Sequence, residues 1–309
     1  MPLFLYIEGN DRLYMSSNSS LKGVLCTVIG AICWGFSGAC GQFLFQNYSV
    51  DQNWLTAVRM IVAGVCICAY MIFKEKQKFF DIWQNKRDSV NLIIFSILGL
   101  MLCQYTYITA IKYSNAGTAT VLQYIAPVFI MIYVCIRSLR IPTFREFVAI
   151  VGAILGTFIL ATHCDINNLV ISSEGLMWGL LSALGMFLYT LIPARIISKY
   201  GTMKIIGYGM IIGGLFLGIV TRFWERGVSL DLIGILMVTI ISIIGTLVAF
   251  SLYLYGVSVV GPVKGSLIAS LEPVSAMFFS VVWLKTSFTF IDFVGVVIIL
   301  TTVLILSKK

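Results

Sequence analysis

Apolar residues fill nearly every position of successive runs of about 20 residues, each closed by a short polar or glycine-containing stretch. An α-helix of ~20 apolar residues spans the ~30 Å hydrocarbon core of a bilayer, whereas a β-barrel strand is a ~10-residue alternating segment. The pattern therefore predicts an all-α integral membrane protein with ten transmembrane helices. They are expected at about residues 23–45, 54–73, 90–110, 116–136, 144–162, 174–196, 203–223, 230–255, 262–284 and 288–307.

Composition agrees with a membrane protein and excludes a soluble globule. The 309 residues are 59% hydrophobic and 11% charged, against roughly 25% charged in soluble domains, and the mean hydropathy is +0.98. The net charge of +8 is spread through the loops between spans and forms no basic domain. We therefore expect the lipid bilayer as a partner and no nucleic acid.

The loop lysines and arginines predict the orientation, because cytoplasmic loops carry the excess of basic residues. With the N-terminus inside, the inner loops hold 16 basic residues and the outer loops 4, while Arg59 lies within a span. Both termini are therefore expected in the cytoplasm, with the protein in the cytoplasmic membrane. Residues 1–21 lack the basic and apolar regions of a signal peptide and are expected to form a cytoplasmic N-terminal leader.

Two halves of the chain resemble each other. TATVLQYIAPVFIMIYVCI in span 4 matches GSLIASLEPVSAMFFSVVWL in span 9 and places Pro127 against Pro273, 146 residues later. Gly152 aligns with Gly295 and, more loosely, Gly35 with Gly185, at offsets of 143 and 150. The offsets predict two five-helix repeats, over residues 22–162 and 174–307. Because five is odd, the second repeat is inverted, an arrangement typical of alternating-access transporters.

Glu272 is the acidic residue placed deepest in any predicted span. It is residue 11 of the 23 in span 9, where an acidic side chain costs on the order of 2.5–3.5 kcal/mol. The following Pro273 leaves the carbonyl of Ala269 without its helical partner. Glu272 is thus a candidate ligand and proton-coupling site facing a central cavity, or else a structural partner of a hydroxyl or backbone group.

Span 4 supplies a polar stripe. Thr120, Gln123, Tyr124 and Pro127 lie on one helical face and are expected to line the cavity opposite Glu272, or to make helix–helix hydrogen bonds. Both Pro127 and Pro273 are predicted helix breaks. The remaining substrate-binding candidates are polar or aromatic residues inside spans, where packing or anchoring at the membrane surface is the alternative: Trp34, Gln42, Gln104, Tyr105, Tyr189 and Ser251.

Arg59 is the sixth residue of span 2, near its outer end. Its side chain is expected either to snorkel to the outer surface or pair within the scaffold, or to attract an anionic substrate group at the outer mouth. Seven of the eight cysteines lie in apolar runs and are expected to act as small hydrophobic residues. Glycines four residues apart, such as Gly152 and Gly156, are expected to allow close helix packing.

The sequence contains no pattern typical of an enzyme, a cofactor site or a metal site. Its single histidine, His163, has no cysteine partner at metal-ligand spacing, and no G-x-x-x-x-G-K-[ST] loop is present. We expect no catalytic residues, no cofactor and no ATPase partner. The alternatives are an uncoupled facilitator or a lipid or solute scramblase, a membrane-embedded enzyme, and a receptor or scaffold.

Four segments resemble the EamA-type drug/metabolite transporter superfamily: WGFSG (34–38), WLTAVRMIVAG with Arg59, NAGTATVLQYIAPVFI and SLEPV. The resemblance covers about residues 22–307. The glycine–glutamate pair typical of this superfamily after the fourth helix of each repeat is replaced by SLRIPTF and LKTSFTF. The resemblance implies a secondary transporter that moves a small-molecule substrate, such as a metabolite, an amino acid or a drug, often by export.

Overall fold

The chain is helical throughout the part that the computed structural model describes, residues 17–165, 169–226 and 228–307, and no strand occurs there. Short 3₁₀ and π-helical stretches join some of the α-helices. The α-helices in these ranges are α1 Ser17–Asn47, α2 Gln52–Glu75, α3 Lys86–Ile94, α4 Leu102–Tyr113, α5 Ala116–Gln123, α6 Ala126–Arg137, α7 Phe144–Thr162, α8 Ser173–Leu191, α9 Ala194–Tyr200, α10 Thr202–Thr221, α11 Leu232–Ser242, α12 Ala249–Val260, α13 Pro262–Ala269, α14 Leu271–Val282 and α15 Phe290–Ser307.

Eight helical stretches within the described ranges are long and apolar enough to cross a membrane, and two shorter apolar helices follow, Leu271–Val282 and Phe290–Leu306. The prediction of an all-helical, multi-pass membrane protein is confirmed. The exact count of ten stays a prediction. The eight stretches are Leu21–Asn47, Gln52–Gln84, Lys86–Tyr113, Ala116–Arg137, Phe144–Thr162, Ser173–Leu191, Thr202–Thr221 and Leu232–Val260.

Several expected boundaries are wrong. The first helix begins at Ser17, inside the expected 1–21 leader, of which residues 1–16 lie outside the described ranges. The expected span 174–196 ends earlier, because α8 stops at Leu191 and Pro193 precedes the short α9. Proline has no N–H for the helical ladder, so it ends one helix and begins the next.

Spans 4 and 9 are each interrupted in the middle. A turn at Tyr124 and Ile125 separates α5 from α6, and a turn at Ser270 separates α13 from α14. Pro127 and Pro273 lie in the first turns of α6 and α14, where each lacks only the N–H that would bridge the interruption to the carbonyl four residues earlier. The interruptions therefore occur at the two prolines named from the sequence.

Two other long stretches contain π-helical segments. Phe95–Met101 joins α3 to α4, and Ile243–Val248 joins α11 to α12. The N-caps of these two stretches are Asn85, which accepts from the backbone N–H of Asp88 at 3.2 Å, and Asp231, which accepts from that of Gly234 at 2.8 Å. Side-chain oxygens at such positions satisfy N–H groups that the first turn leaves free.

Helices α7 and α15 begin with reciprocal side-chain caps. Glu146 accepts from the Thr143 N–H at 2.8 Å, and Thr143 Oγ1 accepts from the Glu146 N–H at 3.4 Å. Asp292 accepts from the Thr289 N–H at 2.7 Å, and Thr289 Oγ1 accepts from the Asp292 N–H at 3.4 Å. Each pair is a capping box and explains why the helix begins there.

Glycines form the closest helix contacts, as expected from their spacing. A Cβ added at Gly156 would lie 2.7 Å from Ile299 Cγ1 and 3.0 Å from the carbonyl oxygen of Gly295. Helix α7 therefore packs on α15 with almost no room for side chains, while α2 packs in the same way on α10. Small residues at such crossings let two membrane helices approach closely.

Candidate functional site

The two interrupted helices bring Tyr124 and Glu272 together. The Tyr124 hydroxyl donates to the carbonyl oxygen of Ala269 at 2.6 Å and lies 3.2 Å from Glu272 Oε2. Ala269 is the residue whose carbonyl Pro273 leaves without a helical donor. The phenol of one interrupted helix thus replaces the hydrogen bond that proline removes from the other.

The Tyr124 hydroxyl has two acceptors within hydrogen-bond distance. Its single proton lies closer to the Ala269 carbonyl, and the longer contact makes Glu272 Oε2 a second, weaker acceptor of the same hydroxyl. Glu272 itself is half-buried, in the first turn of α14.

Further polar groups surround the carboxyl. The side chains of Cys103, Tyr107, Tyr124 and Tyr253 lie within electrostatic range of Glu272, and we refer to these five residues as the Glu272 cluster.

The hydrogen bonds of span 4 extend the cluster. Tyr107 is buried and its hydroxyl is 2.9 Å from Thr120 Oγ1, which donates to the Ala116 carbonyl at 2.7 Å. Gln123 Nε2 contacts Cys103 Sγ at 3.6 Å. Because Thr120 spends its proton on Ala116, Tyr107 is the donor to Thr120. The span 4 stripe therefore faces protein groups at the centre of the bundle.

Arg59 is buried beside the cluster instead of snorkelling to the surface. It is 6% exposed, and Nη2 donates to Gln104 Oε1 at 2.9 Å. No carboxylate pairs with this guanidinium in the ranges that the structure describes. Cys103 and Tyr107 lie within electrostatic range of both Arg59 and Glu272. A buried cation and a half-buried acid thus flank the same polar region.

Aromatic rings lie on one side of the Glu272 cluster. The Trp34 ring lies 5.1 Å from that of Phe250 and 5.0 Å from that of Tyr253, centroid to centroid. The next residue, Gly35, packs so closely on α14 that an added Cβ would lie 2.8 Å from the Glu272 carbonyl oxygen. Trp34 is thereby held near the cluster, and its contact with an organic solute stays a prediction.

Of the other three aromatic or hydroxyl candidates, one lies beside the Glu272 cluster and two have other partners. Tyr189 lies within electrostatic range of Cys103 and Tyr253, so it belongs beside the cluster. Tyr105 makes an edge contact with Trp178 at 5.7 Å, and the Ser251 hydroxyl donates to the Leu247 carbonyl of its own helix.

Gln42 connects helices. Its Oε1 accepts from the Ala116 N–H at 2.9 Å and from the Ser280 hydroxyl at 3.0 Å, and its Nε2 donates to Thr286 at 2.8 Å. Gln42 is 3% exposed. In this conformation its amide serves to join α1, the start of α5 and the end of α14, and any contact with substrate stays a prediction.

Sequence reasoning missed two cluster residues. Cys103 was treated as a small hydrophobic residue, because a lone cysteine in an apolar run has no distinguishing pattern. Tyr253 is missing from the predicted residues. Its three-residue spacing from Phe250 nevertheless puts both rings on the helix face that contacts Trp34.

His163 is used for packing between helices. Its Nε2 lies 2.7 Å from Asp292 Oδ1, which joins the end of α7 to the start of α15. Within the described ranges, no group of three or more histidine, cysteine or acidic residues is arranged to hold a metal ion.

The chain is similar to known membrane transporters over nearly its whole length. The sequence model of the EamA-like transporter family matches residues 21–162 and 173–308. The inner membrane transporter YicL of Salmonella typhimurium is 35% identical over 291 residues, which cover 94% of this chain and 96% of YicL.

More distant matches agree. A transporter of Archaeoglobus fulgidus is 22% identical over 74% of this chain and 79% of its own length. One solved crystal structure superposes with a TM-score of 0.60 at 14% identity, covering 94% of this chain and 96% of that chain. At this identity the structural likeness concerns the fold alone.

Proposed function

This chain belongs to the EamA-like transporter family, and we propose on that basis that it is a secondary transporter that exports a small organic solute across the cytoplasmic membrane by alternating access. The substrate class is a metabolite, an amino acid or a drug. The observation that carries the proposal is the Glu272 cluster, a polar site built where two interrupted membrane helices meet. Broken helices at the centre of a bundle are typical of substrate sites in secondary transporters.

Four local features recur at nearly one offset and support two five-helix repeats, over residues 22–162 and 174–307. The helix interruptions at Tyr124 and Ser270 are 146 residues apart, as are the N-caps Asn85 and Asp231. The π-helical segments begin at Phe95 and Ile243, 148 residues apart. The capping boxes begin at Thr143 and Thr289, again 146 apart.

Helix packing also supports two repeats, because helices at equivalent places in the two halves make equivalent contacts. Helix α2 packs on α10 and α7 packs on α15, and each pair would be equivalent helices of the two repeats. Helix α1 packs on α12 and on α13–α14, as α8 packs on α4 and on α5–α6. A repeat of five spans must reverse its direction in the membrane, so the equivalent helices would meet around an axis in the membrane plane.

The Glu272 cluster, together with Trp34 and Tyr189, draws on six of the ten proposed spans, and Arg59 reaches it from α2 in span 2. The six contributions come from α1, α4, the α5–α6 turn, α8, α12 and α14, which correspond to spans 1, 3, 4, 6, 8 and 9. We propose that these spans line the transport path, while α7 and α15 support the repeats from outside.

Glu272 and Arg59 provide the chemistry. A carboxyl that exchanges a proton when substrate binds would couple transport to a pH gradient. The hydrogen-bond partner of Arg59 is the neutral Gln104, and no carboxylate of the described ranges pairs with it, so its charge would attract an anionic group of the substrate.

Flux into proteoliposomes tests this proposal. Substrates are first selected as metabolites that raise the unfolding temperature of the purified protein, and their uptake is then measured with and without an imposed pH gradient. We expect Glu272→Gln to keep binding but lose the response to the gradient. Glu272→Ala should weaken binding as well, because both carboxyl oxygens are removed. Glu174→Gln, at an exposed acid in the first turn of α8, is the matched control.

The outcomes separate the alternatives. An equal gradient response in the wild type and Glu272→Gln would make Glu272 a structural group. A wild type that transports but ignores pH would be an uncoupled facilitator, and a protein that neither binds nor moves any solute would contradict the proposal.

The orientation can be tested at Cys164, an exposed cysteine after α7. We propose that both termini and the segment with Lys74, Lys76 and Lys78 are cytoplasmic, which places Cys164 outside. A membrane-impermeant maleimide should label intact cells that carry the wild type and not those that carry Cys164→Ser. Labelling of Cys164 in inside-out vesicles alone would reverse the orientation.

A further inference from the structure

A basic cavity of about 850 Å³ lies away from the Glu272 cluster, where α2 and α10 meet the 3₁₀ segment Lys76–Gln84 and α9. Five lysines and two carboxylates line it, a formal surplus of three positive charges. The lysines are Lys74, Lys76, Lys78, Lys199 and Lys204.

Two of these lysines are already paired. Lys204, whose side chain is 5% exposed, pairs with Glu75 and donates to the Lys78 carbonyl at 2.8 Å. Lys199 pairs with the buried carboxylate of Asp88 at 2.7 Å. These pairs build the floor and one wall and leave little charge for a ligand.

Lys76 and Lys78 are exposed, and neither pairs with a carboxylate within the described ranges. They extend from the 3₁₀ segment over the cavity. Together with Lys74 on α2 they supply the lining lysines that have no carboxylate partner in the described ranges, and Asp81 on the same segment offsets one of these charges. The remaining positive charge is available to an anion.

Contacts with neighbouring residues fix the 3₁₀ segment that carries Lys76 and Lys78. The ring of Phe79 stacks on Tyr208 with centroids 4.5 Å apart, and the Tyr208 hydroxyl donates to the Phe79 carbonyl at 3.1 Å. Ser89 donates to the Ile82 carbonyl at 3.0 Å. A segment fixed at three points keeps its two lysines near one position.

Apolar surface adjoins the cavity. Phe80 and Trp83 on the same segment are 53% and 42% exposed, and Phe73, in the last turn of α2, is 83% exposed. Aromatic residues at the end of a membrane helix lie at the depth of the lipid headgroups. The cavity thus combines phosphate-binding cations with a surface for acyl chains.

We propose that this cavity binds the phosphate-bearing headgroup of an anionic phospholipid, with Lys76 and Lys78 as the principal cations. Lysine ammonium groups bind phosphate as point charges, and basic pockets between membrane helices bind anionic headgroups. A free phosphate ion would use the same cations but not the apolar surface. The inference does not rest on the proposed transport activity.

The test measures the unfolding temperature of the full-length protein, purified in detergent, with added phosphatidylglycerol, phosphatidylcholine or inorganic phosphate. Phosphatidylglycerol should stabilise the wild type, while the other two should not. The double variant Lys76→Gln/Lys78→Gln should need at least about tenfold more phosphatidylglycerol for the same rise in unfolding temperature. The control Lys22→Gln/Lys264→Gln removes the same charge from two exposed lysines elsewhere and should behave as the wild type.

Three results would overturn the proposal. Equal stabilisation by phosphatidylglycerol and phosphatidylcholine would exclude headgroup recognition already in the wild type. Full stabilisation by inorganic phosphate would make the cavity a site for a soluble anion. Equal loss in both double variants would show diffuse attraction to the whole basic surface.

Discussion

The two helix interruptions share a backbone arrangement and differ in chemistry. Pro127 and Pro273 lie at equivalent places, 146 residues apart, but the residue before Pro127 is Ala126, 1% exposed, and the residue before Pro273 is Glu272. Tyr124 from the first interruption then satisfies the backbone of the second. Two helix interruptions with the same backbone arrangement therefore differ in the residue before the proline, and of these two only the second has an acid there.

This difference has a functional consequence if the halves exchange roles during transport. A carboxyl at both interruptions would put two acids close together, and like charges disfavour ionisation of one of them. A single acid avoids that repulsion and gives the site one proton position. The comparison predicts that the first interruption cannot accept an acid and that the second depends on its partners.

Ala126→Glu should have the largest effect. The site is fully packed, so the acid would be buried without a partner, at a cost of about 3 kcal/mol. We expect a large fall in the unfolding temperature of the purified protein and in its yield.

Ala126→Gln isolates the charge from the added volume. It should cost clearly less than Ala126→Glu, because an amide is neutral and can donate as well as accept. If the two variants are equally stable, the absence of an acid from the first interruption has no electrostatic reason.

Gly35→Ala should be next in size. An added Cβ would lie 2.6 Å from the backbone nitrogen of Ala276 and 2.8 Å from the Glu272 carbonyl oxygen, so α1 would have to move away from the second interruption. Overpacking of this kind costs about 1–3 kcal/mol. Chemical denaturation in detergent measures the loss.

Gly179→Ala is the counterpart beside the first interruption. Its added Cβ would meet side-chain atoms of Leu122, the Cβ at 3.0 Å and the Cγ at 3.2 Å. A side chain yields more readily than a backbone, so the loss should be smaller. A larger loss for Gly179→Ala would contradict the closer backbone approach at Gly35.

These contacts mark where sequence reasoning succeeded and where it stopped. Run length and hydropathy sufficed for a multi-pass helical protein, and the two prolines were enough to place the interruptions, because both follow from local physics. Glu272 can be singled out by local physics as well, because an acidic side chain in the middle of an apolar run is costly in a membrane.

The partners of those residues could not be predicted in this way. The bond from Tyr124 to Ala269 joins positions 145 residues apart, and the bonds of Gln42 reach Ala116, Ser280 and Thr286. The sequence predicts that Arg59 snorkels, pairs within the scaffold or attracts an anionic substrate group at the outer mouth. Its burial against Gln104 depends on which face of α2 meets α4. Sequence periodicity places a residue on a face but does not say what that face meets.

Tyr124→Phe should have a moderate effect. It removes the hydroxyl that contacts the Ala269 carbonyl and Glu272 while keeping the ring. Hydrogen bonds between membrane helices average about 0.6 kcal/mol, so we expect a loss of that order in a denaturation series. Tyr105→Phe, which keeps the edge contact with Trp178, should be nearly neutral, and an equal loss in both would remove any special role of Tyr124.

The smallest effect concerns the N-caps of the two π-containing stretches, where Asn85 in the first half corresponds to Asp231 in the second. The hydrogen bond from the Tyr48 hydroxyl, together with the N–H of Gly234, holds the pKa of Asp231 below its usual value. A carboxyl with a lowered pKa contributes stability above its ordinary pKa, and that contribution is lost as the pH falls through the lowered value. Tyr48→Phe should therefore lower the stability near pH 7 slightly and make the further loss below about pH 5 smaller, because the pKa of Asp231 in the folded protein returns toward its unfolded value. Asp231→Asn copies the neutral cap of the first half and should remove this part of the pH dependence, as followed by unfolding temperature against pH. Because the group is exposed and screened, the shift should be slight, and identical profiles for the wild type and Asp231→Asn would show that the second-half carboxylate adds nothing to the cap that an amide provides.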